Sequence, residues 1–515
     1  MLGGPGTGKT TTALWTAREE LVSPASAPWH RVLFLTFSRT AVGQIGRRAP
    51  DVFAGRPERI EIATFHGFAF RLLDAFGRYA GHGRASPKIQ SPARARLFGA
   101  QPGRLTYDDL LPAAERLLSS SYFAGLVARR WPLVICDEFQ DTSDEQWSLL
   151  RRLGQSARLL LLADPNQMIY TFVPGVGLHR LEAARGLATA VVELEPRSHR
   201  DPTGVIPAMA ESIRRRRFLD AAVTEAIAAD RLAIVPNIPE HQLAAAVLEQ
   251  IERCRRDGVS SVGIFAHSNE AVATLSGGLT EARCDHVLVG LPESHAAALE
   301  AMSVLCQFAV GGASHDQARA ALATFLTAST RGDLPPALAV DLVRGSAIEA
   351  GLNRRLSSLE TQLQDAREGR IGELAALASK AWSRLRISSG GRVWRRAAPV
   401  FLAAAGSLAS ERAGPDSTEK LAALIERRLP RALLDFDSVG RSPVQLMNFH
   451  QTKGREADVV CLVYRENDWF GREREPFTRV SRVLFVALTR ARQRAVVILP
   501  PRPHPLVAPF RELLA

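Results

Sequence analysis

Short runs of apolar, often β-branched residues recur along the chain and give the main clue to its fold. Most are separated by stretches long enough for a helix, an alternation typical of a parallel sheet buried on both faces. The first set comprises Arg31–Thr36, Ile60–Thr64, Leu133–Asp137, Leu159–Asp164 and Val191–Leu194. The second set comprises Arg231–Val235, Val262–Ala266, Val444–Phe449, Val459–Val463 and Ala495–Leu499. The sequence therefore predicts an α/β protein with two cores.

Two stretches interrupt the alternation of strands and helices. The longer runs from about Pro292 to Asp437, is rich in Ala, Leu and Arg, and has few strand signals. It predicts a mostly helical accessory domain. The shorter stretch spans about Leu72 to Arg130.

Composition and charge narrow the class of protein. A chain of 515 residues with 46% hydrophobic content predicts several globular domains. The net charge of +12 favours a polyanionic partner. Between Arg71 and Arg104 the sequence has seven basic residues and only one acidic residue, Asp74. This segment is a candidate nucleic-acid surface, and a solvated basic helix without a partner is the alternative.

The spacing of the cysteines and the hydropathy of the chain indicate the cellular compartment in which the protein acts. The five cysteines are scattered, with no pair at CxxC spacing, so we predict neither a disulfide framework nor a zinc site. No apolar run approaches the length of about 18 residues that a membrane helix requires. The sequence therefore predicts a cytoplasmic protein with no membrane partner.

The segment near the start of the chain fits the phosphate-binding pattern GxxxxGK(S/T). Small residues let the backbone N–H groups turn inward around phosphate oxygens, and the following helix adds its positive end. We expect Lys9 to reach the β and γ phosphates and the Thr10 hydroxyl to bind Mg²⁺. The loop by itself indicates only a nucleoside triphosphate, and the predicted nucleotide-binding residues here are Gly3, Gly4, Pro5, Gly6, Thr7, Gly8, Lys9, Thr10 and Thr11.

A second motif, DEFQD, follows the apolar run at Leu133. Asp137 would hold Mg²⁺, directly or through water, and Glu138 would orient the attacking water. Acidic pairs after strands are common by chance, but the phosphate-binding loop upstream favours a nucleotide-hydrolysing site.

These motifs carry a resemblance to a known family. DEFQD and the segment Ala163–Tyr170 (ADPNQMIY) resemble motifs II and III of UvrD/Rep/PcrA-like superfamily 1 DNA helicases. Other signatures occur in the family's order, and they are TFSRTA from Thr36, TFHG from Thr64, LEPRSHR from Leu194, HQTKGRE from His450 and FVALTRA from Phe485. The resemblance covers nearly the whole chain.

The resemblance implies two RecA-like parallel-sheet P-loop domains with helical accessory insertions. The implied domain boundaries are 1–71 and 131–200 for domain 1A, 72–130 for a small basic 1B-like insertion, 201–291 and 438–515 for domain 2A, and 292–437 for a reduced 2B-like insertion.

The resemblance also assigns roles around ATP. Gln167 would sense the γ-phosphate, while Arg490 and Arg200 would act as arginine fingers that neutralise charge on the transferred phosphoryl group. His199 stands where the family has an adenine-stacking tyrosine. Lys453, Gly454 and Glu456 would contact the nucleotide, Glu456 at its sugar. A solvated surface glutamate is the alternative for Glu456.

For single-stranded DNA or a tailed duplex, the resemblance points to aromatic and hydroxylic groups at strand ends. Aromatic faces stack on unpaired bases of any sequence. Phe37 and Phe65 could instead be core residues. The candidates are Phe37, Ser38, Thr64, Phe65, His66, Tyr170, Phe172 and His450.

The chain departs from the family in two ways. The upstream β-strand and adenine-reading Q motif of these helicases are missing before the phosphate-binding loop, so we expect a truncated N-terminus that leaves neighbouring strands unpaired. The insertions are short for the family, which makes processive unwinding less certain than translocation.

Two functions remain open. The first is an ATP-dependent DNA helicase or translocase on single strands, with 3′ to 5′ polarity implied by the resemblance. The second is a DNA-stimulated regulatory ATPase subunit of a repair or defence complex, which would not unwind processively. ATP and Mg²⁺ are expected in both, together with possible repair or defence partner proteins.

Overall fold

The computed structural model describes residues 1–37, 39–53, 59–80, 88–99, 104–170, 175–195, 197–289, 293–330, 332–345, 349–428 and 443–514. Among these residues the strands are β1 (Val32–Thr36), β2 (Ile60–Thr64), β3 (Lys88–Ile89), β4 (Arg104–Leu105), β5 (Leu133–Cys136), β6 (Arg158–Leu161), β7 (Leu232–Val235), β8 (Val262–Ala266), β9 (Val287–Leu288), β10 (Val444–Asn448), β11 (Ala457–Val463) and β12 (Ala491–Ile498).

The α-helices of the first half are α1 (Lys9–Val22), α2 (Arg39–Val52), α3 (Phe65–Phe76), α4 (Pro92–Phe98), α5 (Leu110–Leu118), α6 (Ser121–Arg130), α7 (Asp144–Gly154), α8 (Leu178–Leu187), α9 (Val205–Arg214), α10 (Ala221–Ala228) and α11 (Leu243–Arg256). Those of the second half are α12 (Asn269–Glu281), α13 (Glu293–Ala309), α14 (His315–Ala328), α15 (Ala337–Arg344), α16 (Ala350–Asp365), α17 (Ile371–Ser379), α18 (Ala381–Leu385), α19 (Gly391–Gly406), α20 (Pro415–Arg428) and α21 (Val480–Leu488).

The chain divides into two compact units. Unit 1 comprises Met1–Pro87, Asp108–Ser268 and Leu434–Ala515, and unit 2 comprises Lys88–Tyr107 and Asn269–Leu433. The basic segment from Arg71 to Arg104 is therefore shared between the units. The domain boundaries implied by the resemblance stay a prediction.

Unit 1 contains two parallel sheets, which confirms the predicted α/β fold class with two RecA-like cores. The first sheet has the order β2-β1-β5-β6. The second, within unit 1, has the order β7-β12-β11-β8-β10. The central strands β1 and β11 are buried along their whole length, as expected for apolar runs covered on both faces.

One predicted strand of the first core is not regular. Residues Val191–Leu194 form only an isolated bridge, in which Glu193 pairs with Leu2, and Leu2 also pairs with Ala163. Backbone hydrogen bonds join Leu2 to Val192 and Leu194, so Leu2 lies between the two segments as a short parallel strand. Val191–Leu194 therefore form few backbone hydrogen bonds with a neighbouring segment, and Leu2 makes most of them.

Unit 2 is mainly helical, as predicted for the long insertion. Helix α13 packs against α14, α16, α17, α19 and α20. Trp382 and Trp394 stack with ring centroids 5.3 Å apart, and Phe325 meets both rings edge-on. The strands β3, β4 and β9, which lie in unit 2, are short. In neither unit do the described helices include one that is both long and apolar enough for a membrane span.

Candidate nucleotide site and nucleic-acid edge

The phosphate-binding loop wraps the start of α1. Gly6 and Gly8 have φ values of 74° and 88°, in the left-handed region that favours glycine. A side chain at Gly6 would also meet the Ser198 hydroxyl at 2.5 Å. The Lys9 ammonium donates to the carbonyls of Gly3 and Gly4 at 2.7 and 2.8 Å. The loop is therefore tightly folded around its lysine.

Thr10 and Asp137 come together at the end of the first sheet. The Thr10 hydroxyl donates to Asp137 Oδ2 across 3.1 Å, although 127 residues separate the two. A hydroxyl and a carboxylate are the hard oxygen ligands that Mg²⁺ prefers. The pair therefore fits the predicted metal, and these are the residues that would hold it.

Glu138 follows β5 in a strained backbone conformation. Its φ of 55° is unusual for a residue with a side chain, and such strain often marks functional sites. Gln140 Nε2 donates to Glu138 Oε2 across 2.7 Å. Burial and the Glu138 charge raise the pKa of Asp137. Burial also opposes ionisation of Glu138, but the ammonium groups of Lys453 and Lys9 outweigh it and lower the pKa of Glu138.

A hydrogen-bond chain connects Glu138 to Gln167. Gln140 Oε1 accepts from the backbone N–H of Asp164 at 3.0 Å, and Gln167 Nε2 donates to Asp164 Oδ2 at 2.7 Å. From the second core, Arg490 Nη2 donates to Gln167 Oε1 at 2.7 Å. Arg490 is only 2% exposed. Burial lowers the pKa of Arg490 to about 10, so the guanidinium remains charged at neutral pH.

Lys453 joins the two cores a second time. Its ammonium, 4% exposed, donates to Asp141 Oδ2, lies 3.4 Å from Glu138 Oε2 and donates to the Gln167 carbonyl at 2.9 Å. Lys453 thus contacts the DEFQD loop, and its predicted contact with the nucleotide stays a prediction. Sequence reasoning missed Asp141, although it is the second aspartate of that same motif.

Arg200 is held by groups of the second core. It donates to Glu456 Oε1 at 2.6 Å and to the Thr489 carbonyl at 2.7 Å. Arg492 donates to the other oxygen of Glu456 at 2.9 Å. Burial alone would raise the pKa of Glu456, but these two guanidinium groups lower it to about 2. Glu456 is therefore an ionised, paired residue, not a solvated surface glutamate.

A cleft of about 500 Å³ lies between the two sheets and collects most of the predicted nucleotide residues. Gly3, Gly4, Pro5 and Lys453 do not line it. Sequence reasoning missed Arg48 of α2 and Arg492, two further cations at the cleft. The predicted residues that line it are Gly6, Thr7, Gly8, Lys9, Thr10, Thr11, Asp137, Glu138, Gln167, His199, Arg200, Gly454, Glu456 and Arg490.

Among the described residues, Phe37, Thr64, Phe65, His66 and His450 lie at or just after the ends of strands of the two sheets. The Tyr170 hydroxyl donates to the His450 carbonyl across 2.6 Å, and their rings lie 5.8 Å apart. Tyr170 follows Gln167 by three residues, with Met168 and Ile169 buried between them. Tyr170 and His450 therefore link the two cores at this edge. This link is separate from those that Arg490 and Lys453 make with Gln167.

Phe65 corrects one expectation about base stacking. Its ring is 1% exposed and packs against Phe37, with centroids 5.6 Å apart, so Phe65 is a core residue that supports the half-buried Phe37. The Thr64 hydroxyl accepts from Gly67 N–H at 3.0 Å and caps α3. Ser38 and Phe172 lie outside the described residues.

The Thr64 cap can be tested by substitution. Replacing Thr64 with valine keeps the shape but removes the acceptor, and we expect a loss of about 1 kcal/mol in the free energy of unfolding. Thr64→Ser keeps the acceptor and should retain most of the stability in urea denaturation. Equal losses in both variants would show that the cap does not stabilise the protein.

We expect the stability of the protein to depend on pH through His66, which follows the capping residue Thr64. Burial lowers the pKa of His66 to about 4, although Glu145 raises it in part. The unfolded chain gains this proton near pH 6.5 and the folded chain only near pH 4, so stability falls as the pH drops between these values. His66 alone should cost about 2 kcal/mol between pH 7 and pH 5.

Thermal unfolding at the two pH values measures this effect. His66→Gln should lose less in melting temperature on acidification than the unchanged protein. The exposed His179 provides the matched control, and His179→Gln should lose as much as the unchanged protein. An identical acid loss in His66→Gln would rule out His66 as a source.

Parts of the chain are similar in sequence to known proteins. Residues 1–96 and 100–176 match the UvrD/REP helicase N-terminal domain. The RecBCD enzyme subunit RecB of Mycobacterium tuberculosis is 44% identical over 119 residues, which are 20% of this chain and 11% of the relative. The Mycolicibacterium smegmatis subunit is 38% identical over 105 residues, which are 17% and 10% of the two chains.

The Escherichia coli RecB subunit is 37% identical over 76 residues, which are 14% of this chain and 6% of the relative. These matches thus cover only about a tenth or less of each relative's own length. The residues that match the family model include the phosphate-binding loop, the DEFQD loop and Gln167. The N-terminal part of the chain, residues 1–96 and 100–176, is therefore similar to the N-terminal domain of UvrD/REP helicases.

Proposed function

We propose that the chain is an ATP-dependent motor on single-stranded DNA, a helicase or translocase that moves 3′ to 5′. The observation that carries this proposal is the double contact on Gln167. Arg490 and Lys453, both from the second core, bind its side chain and its carbonyl, while Gln167 also lines the cleft with the phosphate-binding loop. A site built from two cores makes hydrolysis depend on their relative position.

The proposal gives roles to most of the polar and charged residues of the cleft. Lys9 and the loop N–H groups bind the ATP phosphates, and Glu138 orients the attacking water. Arg490 and Arg200 neutralise charge that develops on the transferred phosphoryl group. Mg²⁺, held by Thr10 and Asp137, would supply further charge neutralisation. His199 and Glu456 contact the base and the sugar.

The path from nucleotide to DNA is short. Gln167 meets the cleft, and Tyr170 lies three residues later beside His450. A change in how Gln167 is held would thus reach the strand-end edge through the buried Met168 and Ile169. In this proposal Phe37, His66, Tyr170 and His450 form the surface for unpaired DNA, with Phe65 and Thr64 supporting it.

A second function is a DNA-stimulated regulatory ATPase that does not unwind processively. The comparison favours it in one respect, since the matched relatives are named as subunits of the RecBCD enzyme. By analogy, this chain would act in the cytoplasm with repair or defence partner proteins.

Strand-separation assays distinguish the two functions. The first predicts ATP-dependent unwinding of a 3′-tailed duplex and no unwinding of a 5′-tailed one. The second predicts ATP hydrolysis with neither. Displacement of streptavidin from the 5′ end of a biotinylated single strand would identify a translocase without unwinding, and displacement only from the 3′ end would contradict the proposed polarity. The same strands made of RNA test the preference for DNA.

A further inference from the structure

An exposed aromatic cluster lies in unit 1, away from the strand-end edge. The Phe123 ring lies at its centre, with the rings of Phe76, Tyr79 and Tyr122 at centroid distances of 5.5, 5.7 and 5.3 Å. Tyr79 is 60% exposed and Tyr122 is 68% exposed. Large aromatic rings this exposed, grouped together, usually mark an interaction surface.

The cluster is flanked by positive charge. The Arg78 guanidinium lies over the Tyr79 ring, 4.7 Å from its centroid. Arg129 is exposed on α6, seven residues after Tyr122, which places both on one face of the helix about 10 Å apart. Asp74, in the last turn of α3 and four residues before Arg78, is the nearby acidic residue along the chain. The surface therefore combines aromatic faces with guanidinium groups.

Helix α3 connects this cluster to the strand-end edge. It begins at Phe65, directly after the carboxyl end of β2, and ends at Phe76. A helix of this length spans about 17 Å. The cluster thus lies one rigid helix away from Phe37 and His66, a distance that several nucleotides of an extended strand can bridge.

We propose that Tyr79, Tyr122 and Arg78 form a second contact site for single-stranded nucleic acid. Bases would stack on the two tyrosine rings, and Arg78 and Arg129 would pair with phosphates. Stacking platforms beside arginines suit unpaired bases of any sequence. An apolar protein partner would be served less well by the tyrosine hydroxyls and the guanidinium groups. The inference rests on the proposed function, because it extends the path of the strand.

Fluorescence anisotropy of the full chain with a labelled oligothymidine tests the site. The variant Tyr79→Ala/Tyr122→Ala should bind about tenfold more weakly or worse. Tyr79→Phe/Tyr122→Phe keeps both rings and should bind nearly as well as the unchanged protein. Arg78→Gln should lower the slope of affinity against salt by about one. ATP hydrolysis without DNA should be unchanged in all of these variants.

Trp29→Ala is the matched control, since Trp29 is a 67% exposed aromatic residue that precedes β1 and lies outside the cluster. It should leave binding unchanged. Photocrosslinking to 5-iodouracil, read by mass spectrometry, should mark Tyr79 or Tyr122. Binding that survives loss of both rings, with DNA-stimulated hydrolysis intact, would overturn this inference alone and favour a protein as the occupant. Failure of the unchanged protein to bind DNA would overturn both proposals.

Discussion

Replacing Arg490 with alanine is expected to lower the rate of ATP hydrolysis by about a thousandfold. Arg490 comes from the second core, is 2% exposed and reaches Gln167 Oε1 at 2.7 Å beside the phosphate-binding loop. An arginine in this position neutralises charge that exists mainly in the transition state. We therefore expect the loss in kcat, measured at saturating ATP, with a smaller change in KM.

Two further variants make the result specific. Arg490→Lys keeps a charge but lacks the planar guanidinium that bonds Gln167 and the Val486 carbonyl, so it should recover little of the rate. Arg502→Ala removes an exposed arginine and should hydrolyse ATP normally. A rate in Arg490→Ala close to that of the unchanged protein, in a sample that melts normally, would exclude the proposed role.

Replacing Lys453 with methionine is expected to destabilise unit 1 by about 3 to 5 kcal/mol. The substitution leaves the carboxylate of Asp141 buried without its cation, and the Asp141 side chain is fully buried. It also removes an ammonium that lies 3.4 Å from Glu138, so hydrolysis should fall strongly as well. Urea denaturation and steady-state hydrolysis measure the two effects.

The double variant Asp141→Asn/Lys453→Met separates the two effects. With the lone buried charge gone, much of the stability should return. Hydrolysis should not return, because the Lys453 ammonium then no longer joins the second core to Glu138 and to the Gln167 carbonyl. Full activity in the double variant would contradict the coupling role of Lys453. Lys420→Met, which breaks an exposed pair with Glu411, is the matched control for loss of a lysine ion pair.

Local patterns predicted most of the fold. Apolar runs such as Arg31–Thr36 and Val459–Val463 form strands because burial on both faces of a parallel sheet selects apolar residues at successive positions. The exception, Val191–Leu194, shows the limit of this signal. A strand needs a neighbour to bond with, and the apolar run itself does not specify which residues bond with it.

The candidate site was predictable where one motif supplies the chemistry. The Thr10–Asp137 pair and the glycines at positive φ follow from two short motifs. Partners across the cleft were not predictable from spacing. Asp141 and Lys453 are 312 residues apart, and only the packing of one core on the other brings them together. The burial of Phe65 is likewise a tertiary property, since an aromatic residue after a strand can face either way.

The most direct test of the central claim is steady-state ATP hydrolysis by the unchanged chain with and without single-stranded DNA. A nucleotide site shared by two cores that also carry the strand-end edge predicts slow hydrolysis alone and a severalfold increase with DNA. Lys9→Ala should abolish both rates, which excludes a contaminating ATPase. Hydrolysis that depends on Lys9 but does not respond to DNA would contradict the account.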